Sequence, residues 1–126
     1  MAQVHSRAAR AAGATTAVLA SSSRERALTA AQDLGIERAA DDLAELLTQD
    51  VDVVHVCTPN ATHAAFALAV IEAGVHVICE KPLATHVDDA RALAAAAAER
   101  GVVAAVPFVY RYHPMVREAR ARVAAG

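Results

Sequence analysis

Val51-Asp52-Val53-Val54-His55-Val56-Cys57 runs into Thr58-Pro59-Asn60, and further along Val75-His76-Val77-Ile78-Cys79 runs into Glu80-Lys81-Pro82. Both are short, β-branched runs that end at a cysteine and pass directly into a polar loop. Continuous apolar runs of this kind belong to strands covered on both faces, as in a parallel sheet. Between them, Ala61 to Ala73 contains no helix breaker, and Gly74 stops it. The segment therefore predicts one crossover helix, and the whole stretch reads as strand, helix, strand.

Outward from this unit the alternation continues. Toward the amino terminus, Ala2 to Ala12 predicts a helix stopped by Gly13, and Thr15 to Ala20 a short strand. Ser23 is placed to cap a helix from Arg24 to Leu34 closed by Gly35; Ile36 to Ala39 is a weaker strand; Asp41 is expected to cap a helix carrying Leu43, Leu46 and Leu47. Toward the carboxyl terminus, Thr85 is expected to cap a helix from His86 to about Arg100, stopped by Gly101. Val102 to Val106 follows as a strand ended by Pro107, and a last helix begins near Pro114, a residue suited to a first helical turn. Strands alternating with helices over short connections imply an α/β fold with a parallel sheet and helices on both faces.

Composition agrees. The chain has 126 residues, enough for one domain, with no Trp and only two Phe and two Tyr, so its core must come from Ala, Val and Leu. The net charge of −2 supplies no basic footprint for nucleic acid. Apolar stretches such as Ala92 to Ala98 are too short to cross a membrane, and Met1 to Arg10 lacks the apolar run of a signal peptide. Cys57 and Cys79 at strand ends read as buried reduced thiols, which fits a cytoplasmic protein. His55 and His76, inside strands, lack metal-ligand spacing with any Cys or acid cluster, and no metal site is expected.

In open parallel sheets ligands lie beyond the carboxyl ends of the strands. Three loops fall there: Ser21-Ser22-Ser23-Arg24, Thr58-Pro59-Asn60 and Glu80-Lys81-Pro82. The run ending Thr58-Pro59-Asn60, with His63 three residues on, resembles a T-P-N-x-x-H motif. Gly74 through Ala84 resembles a G-x-H-V-x-x-E-K-P-L-A motif. Together they are similar to the glucose–fructose oxidoreductase/inositol dehydrogenase (Gfo/Idh/MocA) family, and the resemblance extends over nearly the whole chain.

That resemblance implies a Rossmann-type cofactor domain over residues 1–110, with 111–126 starting the linker helix toward a substrate domain. It implies hydride transfer between NADP or NAD and a sugar, cyclitol or similar polyol, in a homo-oligomer. Lys81 is then the catalytic or substrate-orienting group, able as an ammonium to stabilise an oxyanion or as an amine to take a proton. Glu80 is expected to contact the cofactor, Pro82 to form an unusual turn with a cis bond, and Thr58, Pro59 and Asn60 to line the ribose and nicotinamide. His63 either contacts that cofactor or serves as a packing histidine. Arg111, in Arg111-Tyr112-His113-Pro114, resembles an R-[FY]-x-P segment and either touches ligand or forms a salt bridge.

Cofactor choice is read at the first loop. An NAD site usually carries an acid at the end of the second strand. Here Ser21 and Ser22 stand near Arg24, with no acid before Glu25, which favours the 2′-phosphate of NADP. Against the family pattern, no strand and no G-x-G-x-x-G turn precede the first helix. The expectation is a domain lacking that strand and phosphate loop, and so a fragment inactive by itself and weak toward cofactor. The competing reading is a nonenzymatic α/β module, or an inactive truncated product, using its open sheet edge as an interface.

Overall fold

A computed structural model describes all residues from Met1 to Gly126. In chain order the elements are α1 (Ala2–Ala11), β1 (Val18–Ala20), α2 (Arg24–Leu34), β2 (Arg38–Ala40), α3 (Leu43–Leu47) and β3 (Val53–Val56). A 3₁₀ turn (Asn60–Thr62) then leads into α4 (His63–Glu72), β4 (His76–Cys79), α5 (Val87–Arg100) and β5 (Ala104–Ala105). A second 3₁₀ turn (Val109–Tyr112) precedes α6 (Pro114–Ala125). The alternation expected from the sequence is present, and no helix is long and apolar enough to cross a membrane.

All strand pairs are parallel, but the sheet comes in two parts. β1 pairs with β2, aligning Val18 with Arg38 and Ala20 with Ala40. Separately, β4 is central to the order β3-β4-β5, aligning Val53 with His76, Val56 with Cys79 and Val77 with Ala104. No ladder joins β1 to β3. Between them lies a cavity of about 510 Å³, lined on one side by Val18 and Leu19 and on the other by Val54 and His55.

The core sits mainly on the β3-β4-β5 part. α4 buries His63, Ala67, Val70 and Ile71, the spacing of one helical face, and α5 contributes Leu93 and Ala97. These meet Val54, Val56, Val77 and Cys79 from the strands. Alanine at the contacts lets the helices lie close, which is how a chain without large aromatics fills its interior. α2 and α5 both end in glycines in the left-handed region, Gly35 (φ 61°) and Gly101 (φ 66°), where a Cβ would be strained. α1 is fastened by Arg10, whose guanidinium donates to the carbonyls of Leu34 (2.6 Å) and Gly35 (3.0 Å) at the negative end of α2.

Several boundaries differ from the sequence reading. The strands are shorter than the apolar runs, because a strand lasts only while a neighbour pairs with it: Thr15–Ala17, Val51–Asp52 and Val102–Val103 fall outside the strands. The cap of α3 is Asp42, which accepts from the Glu45 N–H at 2.8 Å. Asp41, expected there, instead meets the Arg24 guanidinium at 2.7 Å. α5 starts after His86 with no side-chain cap, so Thr85 does not cap it; Asp88 and Asp89 in its first turn complement the helix dipole.

Asp42→Ala is therefore expected to cost about 1 kcal/mol in chemical denaturation, as cap losses do. Asp41→Ala should cost less, its only side-chain partners being exposed. The reverse order would show the cap misplaced.

Candidate functional site

Because Val56 and Cys79 are in register, the loops following β3 and β4 start side by side. The Glu80 N–H continues the ladder to the Val56 carbonyl at 2.9 Å. Thr58, Pro59 and Asn60 are exposed along one rim, and Lys81 and Pro82 along the next, with a cis Lys81–Pro82 peptide. The loops are joined from below by His63, only 1% exposed: its Nδ1 lies 2.7 Å from the Pro82 carbonyl and its Nε2 2.8 Å from the Thr58 carbonyl. Both partners only accept, so the ring donates at both contacts when both nitrogens carry hydrogen. The ring thus acts as a clasp between the loops. Of the two roles the sequence leaves open for His63, these contacts match the packing histidine, with both ring nitrogens set against backbone carbonyls. The Thr62 hydroxyl further stiffens the first loop, donating within reach of the Thr58 hydroxyl (2.7 Å) and the Pro59 carbonyl (2.8 Å).

Glu80 is likewise turned inward, 6% exposed. One carboxylate oxygen accepts from His5 Nε2–H at 3.0 Å and the other from the Lys81 N–H at 3.0 Å. With Nε2 donating, His5 Nδ1 faces His55 Nδ1 at 2.8 Å, and the two rings meet edge to face. The His5 hydrogen bond is the main reason the Glu80 carboxyl titrates below the usual range; burial opposes it, while the Lys81 amide and the nearby charges add to it. Glu80 therefore fixes the Lys81 backbone and joins its side chain to His5 of α1. His5 was missed by sequence reasoning. Its partners lie 50 and 75 positions away, and no local spacing marks them.

At the end of β1, Ser21, Ser22 and Arg24 are exposed, as expected. Ser23 caps α2 by accepting from the Arg26 N–H at 3.3 Å. Arg24 bonds Asp41 at 2.7 Å and reaches Glu45 at 3.8 Å; the Asp41 hydrogen bond, then its charge, raise the guanidinium pKa. Arg26, also missed from sequence, donates to the Ser22 hydroxyl at 3.3 Å. Arg111 lies on the exposed 3₁₀ turn after β5, and its side chain joins none of these contacts. His76 braces β4 against β5 by accepting from the Val103 N–H at 3.1 Å. Both cysteines are free, and burial pushes each thiol up to about 11, leaving them protonated at neutral pH. No three His, Cys, Asp or Glu side chains converge as a metal site would require.

A polar rim at the carboxyl ends of a parallel sheet, with a lysine set on a rigid turn, defines a dinucleotide-binding α/β domain of oxidoreductase type. The chain belongs to the Gfo/Idh/MocA oxidoreductase family, with its NAD-binding Rossmann fold, whose model matches residues 1–108. It is 37% identical over 110 residues to levoglucosan dehydrogenase of Pseudarthrobacter phenanthrenivorans, covering 86% of this chain and 28% of that protein. It is also 37% identical over 109 residues to D-xylose 1-dehydrogenase (NADP(+)) 2 of Haloferax volcanii, covering 86% and 34%. An NAD binding oxidoreductase from Klebsiella pneumoniae superposes with a TM-score of 0.90 at 36% identity, over 98% of this chain and 36% of that one. The chain thus spans about a third of the length of these relatives.

Burial lowers the His55 pKa below its ordinary 6.5, with His5 adding to the effect. Glu80 is depressed from 4.5. In both cases the unfolded chain takes up a proton more readily than the folded one, so stability falls as pH drops. Urea melts should show one loss setting in below pH 6.5, absent in His55→Gln, and another below 4.5, absent in Glu80→Gln. A profile unchanged by either substitution would remove these groups from the stability of the fold.

Proposed function

We propose that residues 1–110 form the nicotinamide-dinucleotide-binding unit of a dehydrogenase acting on a sugar, cyclitol or similar polyol, with 111–126 a helical arm leading away from it. What carries the reading is the pair of loops at the ends of β3 and β4, clasped by His63. The Thr58-Pro59-Asn60 backbone and the Asn60 amide offer polar groups to a ribose and nicotinamide. The Lys81 turn faces the same rim. The residues fit such a group chemically: a rigid polar floor, one cation, and no competing buried charge free to repel it. When bound, the nicotinamide supplies hydride transfer.

On the protein side, Glu80 anchors the Lys81 main chain, and the exposed ammonium is placed to orient a substrate hydroxyl and stabilise the oxygen as its proton leaves. His63, held between Thr58 and Pro82, fixes the distance between the loop that lines the cofactor and the one that meets substrate. Sugar and cyclitol alcohols suit this arrangement, and the relative named D-xylose 1-dehydrogenase (NADP(+)) 2 supports both the substrate class and the cofactor.

NADP is favoured over NAD. Ser21 and Ser22 stand at the capped start of α2, with Arg26 bonded to Ser22 and Arg24 on the first turn, a set of donors suited to a 2′-phosphate. The Arg24 pairs with Asp41 and Glu45 are exposed, and such contacts yield readily to a stronger anion.

Titration of the chain with NADPH and NADH, followed by nicotinamide fluorescence and amide chemical shifts, tests this. Binding is expected to be weaker than about 1 μM, to favour NADPH, and to shift Thr58, Asn60 and Lys81. Arg24→Ala with Arg26→Ala should weaken NADPH about tenfold and change NADH little. Shifts confined to other surfaces would overturn the assignment of the site.

A further inference from the structure

The ring of His63 stands between two groups that can only accept. Its Nδ1 lies 2.7 Å from the Pro82 carbonyl and its Nε2 2.8 Å from the Thr58 carbonyl, with the residue 1% exposed. Each of these short contacts needs an N–H from the ring. A neutral imidazole has only one, and the imidazolium has two. In the neutral ring one nitrogen turns its lone pair on a carbonyl oxygen, and so deep a site leaves no room for solvent to satisfy either atom. The geometry is that of the protonated ring.

The two loops differ in what else holds them. Thr58-Pro59-Asn60 is tied to the start of α4 by the Thr62 hydroxyl and by the Thr62 N–H, both donating to the Pro59 carbonyl. The Lys81-Pro82 turn is held at its amino end by Glu80, which accepts from the Lys81 N–H. At its carboxyl end the Pro82 carbonyl has no hydrogen bond other than the one from His63. Loss of the ring proton therefore frees the turn at Pro82, while the Thr58 loop stays. The support from α1 does not respond in this way, because His5 needs only Nε2–H toward Glu80 and a neutral ring supplies it.

Neighbouring titratable groups do not compete for the ring. In β3, His55 is committed to His5. At the end of β4, Cys79 is a protonated thiol, pushed up to about 11. In the loop beyond, Glu80 faces His5 and Lys81 is exposed. At the start of α5, His86, Asp88 and Asp89 are exposed. None of them hydrogen-bonds to His63.

We propose that His63 is a proton-controlled positioning residue: as the imidazolium it holds the Thr58 loop and the Lys81 turn at one spacing, and when its proton leaves to solvent the turn is released at Pro82. The consequence for binding rests on the rim being the cofactor site; the clasp itself does not. A dinucleotide spanning both loops favours the closed rim, so its affinity falls as pH rises through the titration of the ring, and its binding draws a proton onto His63.

The test is ¹⁵N imidazole and backbone NMR of the full chain from about pH 5.5 to pH 9, with NADPH and NADH titrations over the same range. His63 is expected to pass from two protonated nitrogens to one, with the Lys81 and Leu83 amides shifting at the same midpoint and Thr58 moving less. Affinity for both nucleotides should fall about tenfold across that midpoint. NADH matters here because it has no 2′-phosphate to titrate. His63→Gln should bind weakly at every pH, whereas His86→Gln should keep the wild-type profile. A ring of constant protonation across the range, or one that titrates without moving Lys81 and Leu83, would overturn the proposal. So would affinities that do not change with pH. Absence of binding at any pH would sink the dehydrogenase reading instead, and the shifts of the free chain would still decide the clasp.

Discussion

The hydrogen bond from His5 to Glu80 is the contact on which the site depends. It is made almost out of water, with side chains 10% and 8% exposed, so it is little screened and has no ready substitute. Its consequence runs in one direction along Glu80, whose second oxygen holds the Lys81 amide, and in the other through His55 into β3. A helix, two strands and the lysine turn are thus registered by four polar groups. A carboxylate buried with only one of these partners would be a costly charge, and with both it becomes a rigid support.

That contact also explains a division of labour at the rim. The residues expected to touch ligand fall into two sets. Thr58, Asn60 and Lys81 are exposed and free to do so. His63 and Glu80 are buried and face backbone groups or α1. The second set acts by fixing the first: His63 sets the spacing of the two loops, and Glu80 sets the main chain at Lys81. Catalytic geometry tolerates little slack, so the side chains with the most demanding environments are those that hold the ones in contact.

Much of the fold was legible because it is local. The β-branched runs, the glycines at 35, 74 and 101, and Ser23 ahead of α2 act within a few residues and appear where expected. What misled was competition among neighbours of similar chemistry. Asp41 and Asp42 are both good caps, and the arginine at position 24, seventeen positions away, decides which one serves. The surroundings of Glu80 and His63 were hidden for a related reason. A motif gives the order of residues along the chain but not which way each side chain turns out of a tight loop. His5 was invisible because an isolated histidine in an alanine-rich helix looks the same whether it faces water or a buried carboxylate.

The two parts of the sheet share no ladder, so their relation rests on what crosses between them. α1 is bound at one end by Arg10 to the close of α2 and at the other by His5 to Glu80, one attachment to each part. Leu46 of α3 adds an apolar bridge, sharing the core with Ala40 of β2 and Val54 of β3. Polar attachments at the ends of a rigid rod fix separation and angle better than apolar packing alone, because each needs a specific geometry. The serine loop after β1 and the lysine turn after β4 belong to different parts. Their spacing, which decides whether one dinucleotide reaches both, therefore depends on the length and placement of this ten-residue helix together with the Leu46 bridge.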